Sequence, residues 1–169
     1  MRARVVLSVG ANLGDRLGTL QRCVQVIAGL PDTDVLAISP VYQTAPVAGP
    51  PQPDYLNAVL LIQTGLPPRD LLEAIHGVEA GFGRVRAERF GPRTLDIDII
   101  SYDGQVSDDP ELTLPHPRAH ERAFVLAPWH DIDPGAELPG HGPVAGLLAG
   151  LDRAGVRPVP GAVLAVPPS

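Results

Sequence analysis

The run Leu95-Asp96-Ile97-Asp98-Ile99-Ile100 alternates branched apolar residues with carboxylates. An extended chain sorts that alternation into two faces, because strand side chains point to opposite sides with a period of two. Leu95, Ile97 and Ile99 then face a core, while Asp96 and Asp98 share the other face with Thr94 and Ile100. The two carboxylates lie about 7 Å apart along such a strand, at roughly 3.3 Å per residue. A core strand carrying two acids needs positive charge close by. Four arginines (Arg84, Arg86, Arg89, Arg93) precede it within ten residues, in a chain of formal charge −6.

Two carboxylates so placed can hold two divalent cations, which in paired sites sit roughly 3.5–4 Å apart. Hard oxygen donors favour Mg²⁺ over Zn²⁺. The only cysteine is Cys23, so no internal disulfide forms. The plain alternative is an exposed sheet face whose acids bond the upstream arginines. All thirteen basic residues are arginine, so any phosphate contact uses a fixed planar fork. Arginines that close on phosphates beside acids that hold Mg²⁺ are the two halves of a nucleoside-triphosphate site. No GxxxxGK[ST] run is present, and the glycines of "SVGANLGD" read as turn glycines. Neighbouring acids also repel, so Asp98→Ala is expected to leave the metal-free fold intact or more stable.

Residues 4–9 read as a strand, and 10–15 as a turn with Asn12 as helix N-cap. Leu13, Leu17, Leu20, Val24 and Ile27 recur at helical spacing. Extended segments at 34–38 and 41–42 are broken by Pro40, and 43–54 is a long Pro/Gly/Ala loop. A strand at 56–62, a helix opened by Pro67-Pro68 and running to about Gly81, the arginine loop 83–92 and the strand 95–101 follow. Tyr102 to Gln105 reads as a hairpin-type turn. Helical stretches lie near 118–129 and 143–151. The order is an α+β, ferredoxin-like βαββαβ pattern with C-terminal additions, its helices packing on one face of an antiparallel sheet. One domain spans 1–155, followed by a loosely attached proline-rich tail, 156–169.

"GPRTLDIDII", preceded by "GRVRAERF" and "PDYLNAV" and followed by "LTLPHPRAHERAFVLAP", resembles the 6-hydroxymethyl-7,8-dihydropterin pyrophosphokinase family of folate biosynthesis. The likeness runs from "VVLSVGANLGDR" to about Asp133. It implies a ferredoxin-like fold, usually monomeric, that uses ATP and two Mg²⁺ ions. The implied reaction moves the β,γ-diphosphate of ATP to the pterin hydroxymethyl group and releases AMP. By the same resemblance Asp96 and Asp98 bind both ions, and Arg84 and Arg93 close on the triphosphate. His116 and Arg122 contact ATP phosphates, and Glu79 shapes the nucleotide side. Tyr55 and Phe124 sandwich the pterin, Asn57 bonds its edge, and backbone groups of Thr44, Ala45 and Pro46 complete recognition. The chain departs from the family at Phe90, where tryptophan is usual, and at Ala45 and Val47, where proline and leucine types are commoner. Its arginine loop is one residue shorter than in some members.

Other readings remain open on the residues alone. A different Mg-dependent phosphotransferase or nucleotidyltransferase would use the same acids. A ligand- or RNA-binding module would use the same fold class. The acidic balance and scarce aromatics weigh against nucleic acid, leaving small-molecule partners. No apolar run reaches membrane-span length and no signal-peptide pattern opens the chain, so a cytoplasmic location is expected. His76, His120, His130 and His141 have no motif context and receive no role.

Overall fold

The computed structural model describes residues 2–12, 14–45, 54–82 and 95–165. In chain order the elements are β1 (Ala3–Ala11), α1 (Arg16–Ala28), β2 (Thr33–Ile38), β3 (Tyr42–Thr44), β4 (Tyr55–Thr64), α2 (Pro68–Gly81) and β5 (Asp96–Tyr102). Then come β6 (Ser107–Asp109), β7 (Leu112–Leu114), a 3-10 turn at Ala119–Glu121, α3 (Ala123–Ile132), β8 (Glu137–Leu138), β9 (Gly142–Pro143), α4 (Val144–Ala149) and β10 (Val156–Pro158).

Apolar runs place β1 and β4 at the sheet centre, and every pairing is antiparallel. The order is β10-β3-β4-β1-β5, with β2 also on β4. Pro40 explains the split edge. It has no N–H to give the ladder, so the chain leaves β4 after Ser39, whose N–H still donates to Val59 O at 2.9 Å, and rejoins it at Tyr42. Alternation gives the sheet two buried faces. Val5, Leu7, Val9, Leu60, Ile97 and Ile99 pack with Leu20, Val24 and Ile27 of α1 and Leu71 and Ile75 of α2. Val6, Val59 and Ile100 pack on the other side with Val125, Leu126 and Trp129 of α3 and Val144 of α4. The helices therefore cover both faces, not one. Sequence position alone did not say that a third apolar helix would return to the back of the sheet. Each large side chain so buried contributes about 1.5–3 kcal/mol.

A bulge refines the alternation in β5. Leu7 pairs Ile99 but Val6 pairs Ser101, so Ile100 is the extra residue. The phase resets there. Ile100 still lies with Asp96 and Asp98, while Tyr102 returns to the α1/α2 side and donates its hydroxyl to Leu66 O at 2.6 Å. The turn after it has positive φ at Asp103 and Gly104, but it does not make a hairpin. β6 pairs β7 instead.

Helix α1 begins at Arg16, capped by Asp15, whose Oδ1 accepts the Gly18 N–H at 3.1 Å. Asn12 is not the cap, because β1 runs on to Ala11 and Gly14, at φ 65°, makes the turn. Leu17, at the first turn, stays 37% exposed, and the buried stripe is Leu20, Cys23, Val24 and Ile27. Helix α2 starts where the paired prolines place it, with Pro67 as N-cap.

Residues 156–165 are not loosely held. β10 adds to β3, and Ala162 and Leu164 are buried in the α1/α2 core.

Candidate active site

Strand register assembles the site on the α3/α4 side of the sheet. Gly10 of β1 lies opposite Asn57 of β4 and Asp96 of β5. In the next row Ser8 lies opposite Val59 and Asp98. On the other side of β4, Tyr42 faces Asn57 and Thr44 faces Tyr55. Directly opposed residues share a face. Thr44, Tyr55, Asn57, Gly10, Asp96 and Asp98 therefore form one surface. Asn57 and Asp96 are two strand spacings apart, about 10 Å.

Gly10 is the floor between them. A Cβ there would sit 2.7 Å from the Asn57 amide nitrogen and 3.6 Å from the Tyr55 ring. The sequence reading placed this glycine in a turn. Its signal was a glycine inside an apolar strand, which marks close approach of something else to the backbone.

Buried polar atoms mark the same end. Asn57 is 5% exposed and Thr44 is 6% exposed. Among the described residues neither Asn57 Oδ1 nor Thr44 Oγ1 has a hydrogen-bond partner. Buried acceptors without donors are costly, so such a pair points to a ligand with donors of its own. Of the Ala45 backbone groups, the amide is engaged within the fold. Its N–H donates to Gly155 O at 3.1 Å and is not available to a ligand.

The acids meet a second segment, the one between β7 and α3. The His116 N–H donates to Ile100 O at 2.9 Å, tying that segment to the outer edge of β5. His116 Nδ1 accepts the Arg118 N–H at 3.2 Å. The neutral ring therefore keeps its proton on Nε2, which lies 4.0 Å from Asp98 Oδ1. Burial first, then Arg122 and Arg118, push its pKa down to about 4. The imidazole is thus a neutral donor at physiological pH. Arg122 Nη1 lies 3.8 Å from Asp98 Oδ2, and its guanidinium stands over the Phe124 ring at 5.5 Å. Such a half-exposed ion pair is worth about 0–1 kcal/mol and leaves the arginine able to turn to another anion.

Glu79 sits lower, on α2, and is 4% exposed. Its Oε2 accepts the Ile97 N–H at 2.9 Å, capping the strand that carries both acids. Asp96, Asp98, His116, Arg122 and Glu79 are thus gathered around β5, and Thr44, Tyr55 and Asn57 around β4. Phe124 opens α3 on the same side, half-buried against that helix core. Arg84, Arg93 and Pro46 lie outside the described residues.

The donor set can be tested against magnesium. Among the described residues no three His, Cys, Asp or Glu side chains converge on one point. Two hard carboxylates on one strand face fit Mg²⁺, which keeps waters and shares substrate phosphates.

A family model described as 7,8-dihydro-6-hydroxymethylpterin-pyrophosphokinase (HPPK) matches residues 6–134. A Pseudomonas aeruginosa protein named 2-amino-4-hydroxy-6-hydroxymethyldihydropteridine pyrophosphokinase is 39% identical over 162 residues, 96% of this chain and 100% of its own. A Mycobacterium bovis protein of the same name is 45% identical over 164 residues, covering 89% of this chain and 85% of its own. Among solved structures, a Plasmodium falciparum HPPK-DHPS crystal structure superposes with a TM-score of 0.69 at 11% identity, over 88% of this chain and 45% of that one. At that identity the likeness speaks for the fold alone. This chain spans less than half of that solved chain.

Proposed function

This chain belongs to the 7,8-dihydro-6-hydroxymethylpterin-pyrophosphokinase family, and we propose that its diphosphate transfer is run by the surface described above. The chain is a pyrophosphokinase of folate biosynthesis acting on the hydroxymethyl dihydropterin. The donor in this proposal is ATP, the product nucleotide is AMP, and Asp96 and Asp98 hold two magnesium ions. Bound there, magnesium supplies charge neutralisation of the phosphates and Lewis acidity toward the reacting oxygens.

The chain's own residues supply position and charge. Asn57 Oδ1 and Thr44 Oγ1 accept from the donors of the pterin ring edge, above the bare floor at Gly10. Tyr55 and Phe124 offer their flat faces to the ring. His116 donates from Nε2 to a phosphate oxygen, and Arg122 leaves Asp98 to pair with the same polyphosphate. Arg84 and Arg93 close over the triphosphate, and forked donors there stabilise charge as it develops. Pro46 and the Thr44 and Ala45 carbonyls complete the pterin contact. Glu79 holds β5, and through it the acids, in place.

The observation that carries this reading is a single sheet face. It sets Asp96 about 10 Å from Asn57, whose buried acceptor has no donor among the described residues, with the equally unpartnered Thr44 hydroxyl one strand further out. Strand order and the paired helices α1 and α2 also support assigning β1 to β5 to the ferredoxin-like arrangement, with β2 and β3 as one split strand. We assign the chain as a monomer acting in the cytoplasm; no helix among the described residues is long and apolar enough to cross a membrane. The test is to mix the protein with ATP, Mg²⁺ and 6-hydroxymethyl-7,8-dihydropterin and identify the nucleotide released. AMP in step with pterin consumption is expected. ADP, or no metal requirement, would refute the assignment.

A further inference from the structure

We infer that the C-terminal segment 155–165 is a positioning brace for the pterin half of the site, an inference that rests on assigning Thr44, Tyr55 and Asn57 to the pterin. β3, which carries Thr44, is only three residues long. A strand that short holds little order when it pairs on one side only. Here it is sandwiched between β4 and β10. Val156 pairs Thr44, Arg157 pairs Gln43 and Pro158 pairs Tyr42. Both ends are tied as well. The Ala45 N–H donates to Gly155 O at 3.1 Å, and the Val159 N–H donates to Val41 O at 2.9 Å. Pro158 is tolerated because β10 is the outermost strand.

Beyond β10 the chain rounds the sheet edge and anchors on the opposite face. Val156 packs with the α3/α4 core, whereas Ala162 and Leu164 are buried in the α1/α2 core. The end is stapled to α1. The Ala165 N–H donates to Gln21 Oε1 at 2.8 Å, and Gln21 Nε2 donates to Ala165 O at 3.0 Å. The strands flanking the site are cross-tied as well. Gln43 Nε2 donates to Asp54 Oδ2 at 2.9 Å and Arg16 Nη1 donates to Asp54 O at 2.7 Å, next to Tyr55. Gln21, Leu164 and Gly155 thus act on the ligand through the backbone of Thr44 and Ala45. They are positioning residues. The brace and the two aspartates lie on opposite edges of the sheet, so loosening it is felt by the pterin and not by the metal–nucleotide half.

The experiment uses the full chain with Gln21→Ala, Leu164→Ser and Leu164→Met. Calorimetry measures 6-hydroxymethyl-7,8-dihydropterin binding in the presence of Mg²⁺ and a nonhydrolysable ATP analogue, and analogue binding by itself. Gln21→Ala and Leu164→Ser are expected to weaken the pterin about tenfold, since small misplacements of positioning groups carry penalties of that order and beyond. Nucleotide affinity should stay at the wild-type value, and Leu164→Met should restore the pterin. Ile75→Val, a core change in α2, should lower the melting temperature without touching the pterin, which separates bracing from general loss of stability. Wild-type pterin affinity in both loosened variants, or an equal weakening of the nucleotide, would overturn the brace alone. A wild-type protein that takes up no pterin would overturn the functional reading together with it.

Discussion

Replacing Gly10 by alanine probes the floor of the site with a single methyl group. The new Cβ would stand 2.7 Å from Asn57 Nδ2, where ordinary contact begins near 3.4 Å, so the amide must retreat by about 0.7 Å. Asn57 is buried and directly opposite, so it has little room to give. Overpacking of this kind costs about 1–3 kcal/mol. Replacing a strand glycine returns roughly 0.5–1 kcal/mol. A net loss near 1 kcal/mol follows, a melting shift of about 2–4 °C for a chain of this size. The functional effect is larger. A positioned group displaced by close to 1 Å can lose on the order of 10²-fold in rate. Steady-state kinetics should therefore show kcat/KM for the pterin falling by about that factor, while calorimetry finds the ATP analogue bound as in the wild type. If Gly10→Ala melts a few degrees lower yet keeps full pterin affinity, Asn57 is a packing residue and the ring edge is held elsewhere. If nucleotide affinity falls equally, the two halves of the site are not separable.

Three further outcomes follow from the same geometry. Asp98→Asn should cut turnover by at least about 10²-fold at saturating Mg²⁺. Its melting temperature should shift by no more than ~3 °C, because Arg122 at 3.8 Å already offsets part of the repulsion from Asp96; a near-normal rate would remove the metal assignment. Glu79→Ala should destabilise by about 1.5–3 kcal/mol in urea titrations, the range for a hydrogen bond to a charged group, since the Ile97 N–H loses its acceptor. Glu79→Gln should recover most of that, and equal stability of Glu79→Ala and wild type would contradict the reading. Burial, with a smaller push from Glu79, raises the Cys23 thiol from 9.0 to about 12. The unfolded chain then releases a proton that the native state keeps, so stability should fall by up to about 1.4 kcal/mol per pH unit between pH 9 and 12. Cys23→Ala should flatten the slope between pH 9 and 10 and lessen it above, where Tyr42, raised from 10.0 to about 12 by burial and Asp131, still contributes; an unchanged slope would show that the thiol is not a source.

The period-two pattern at residues 95–100 was enough to place Asp96 and Asp98 on one face and Leu95, Ile97 and Ile99 in a core. Alternation is a local property of an extended chain and needs no partner strand to be read. The paired prolines opening α2 and the break at Pro40 were legible for the same reason, since a missing N–H acts where it stands. Long-range facts were not. Nothing local says that Gly10 belongs to β1 and lies between Asn57 and Asp96, because register is set by pairing across the sheet. Nothing local says that a proline-rich tail pairs with β3, that α3 and α4 cover the second face, or that Glu79 caps the strand bearing the acids. The chemistry of this protein was therefore written in residue types and spacings. The distance between its two halves was decided only when β1, β4 and β5 aligned, because antiparallel pairing alone brings residues 10, 57 and 96 into one row.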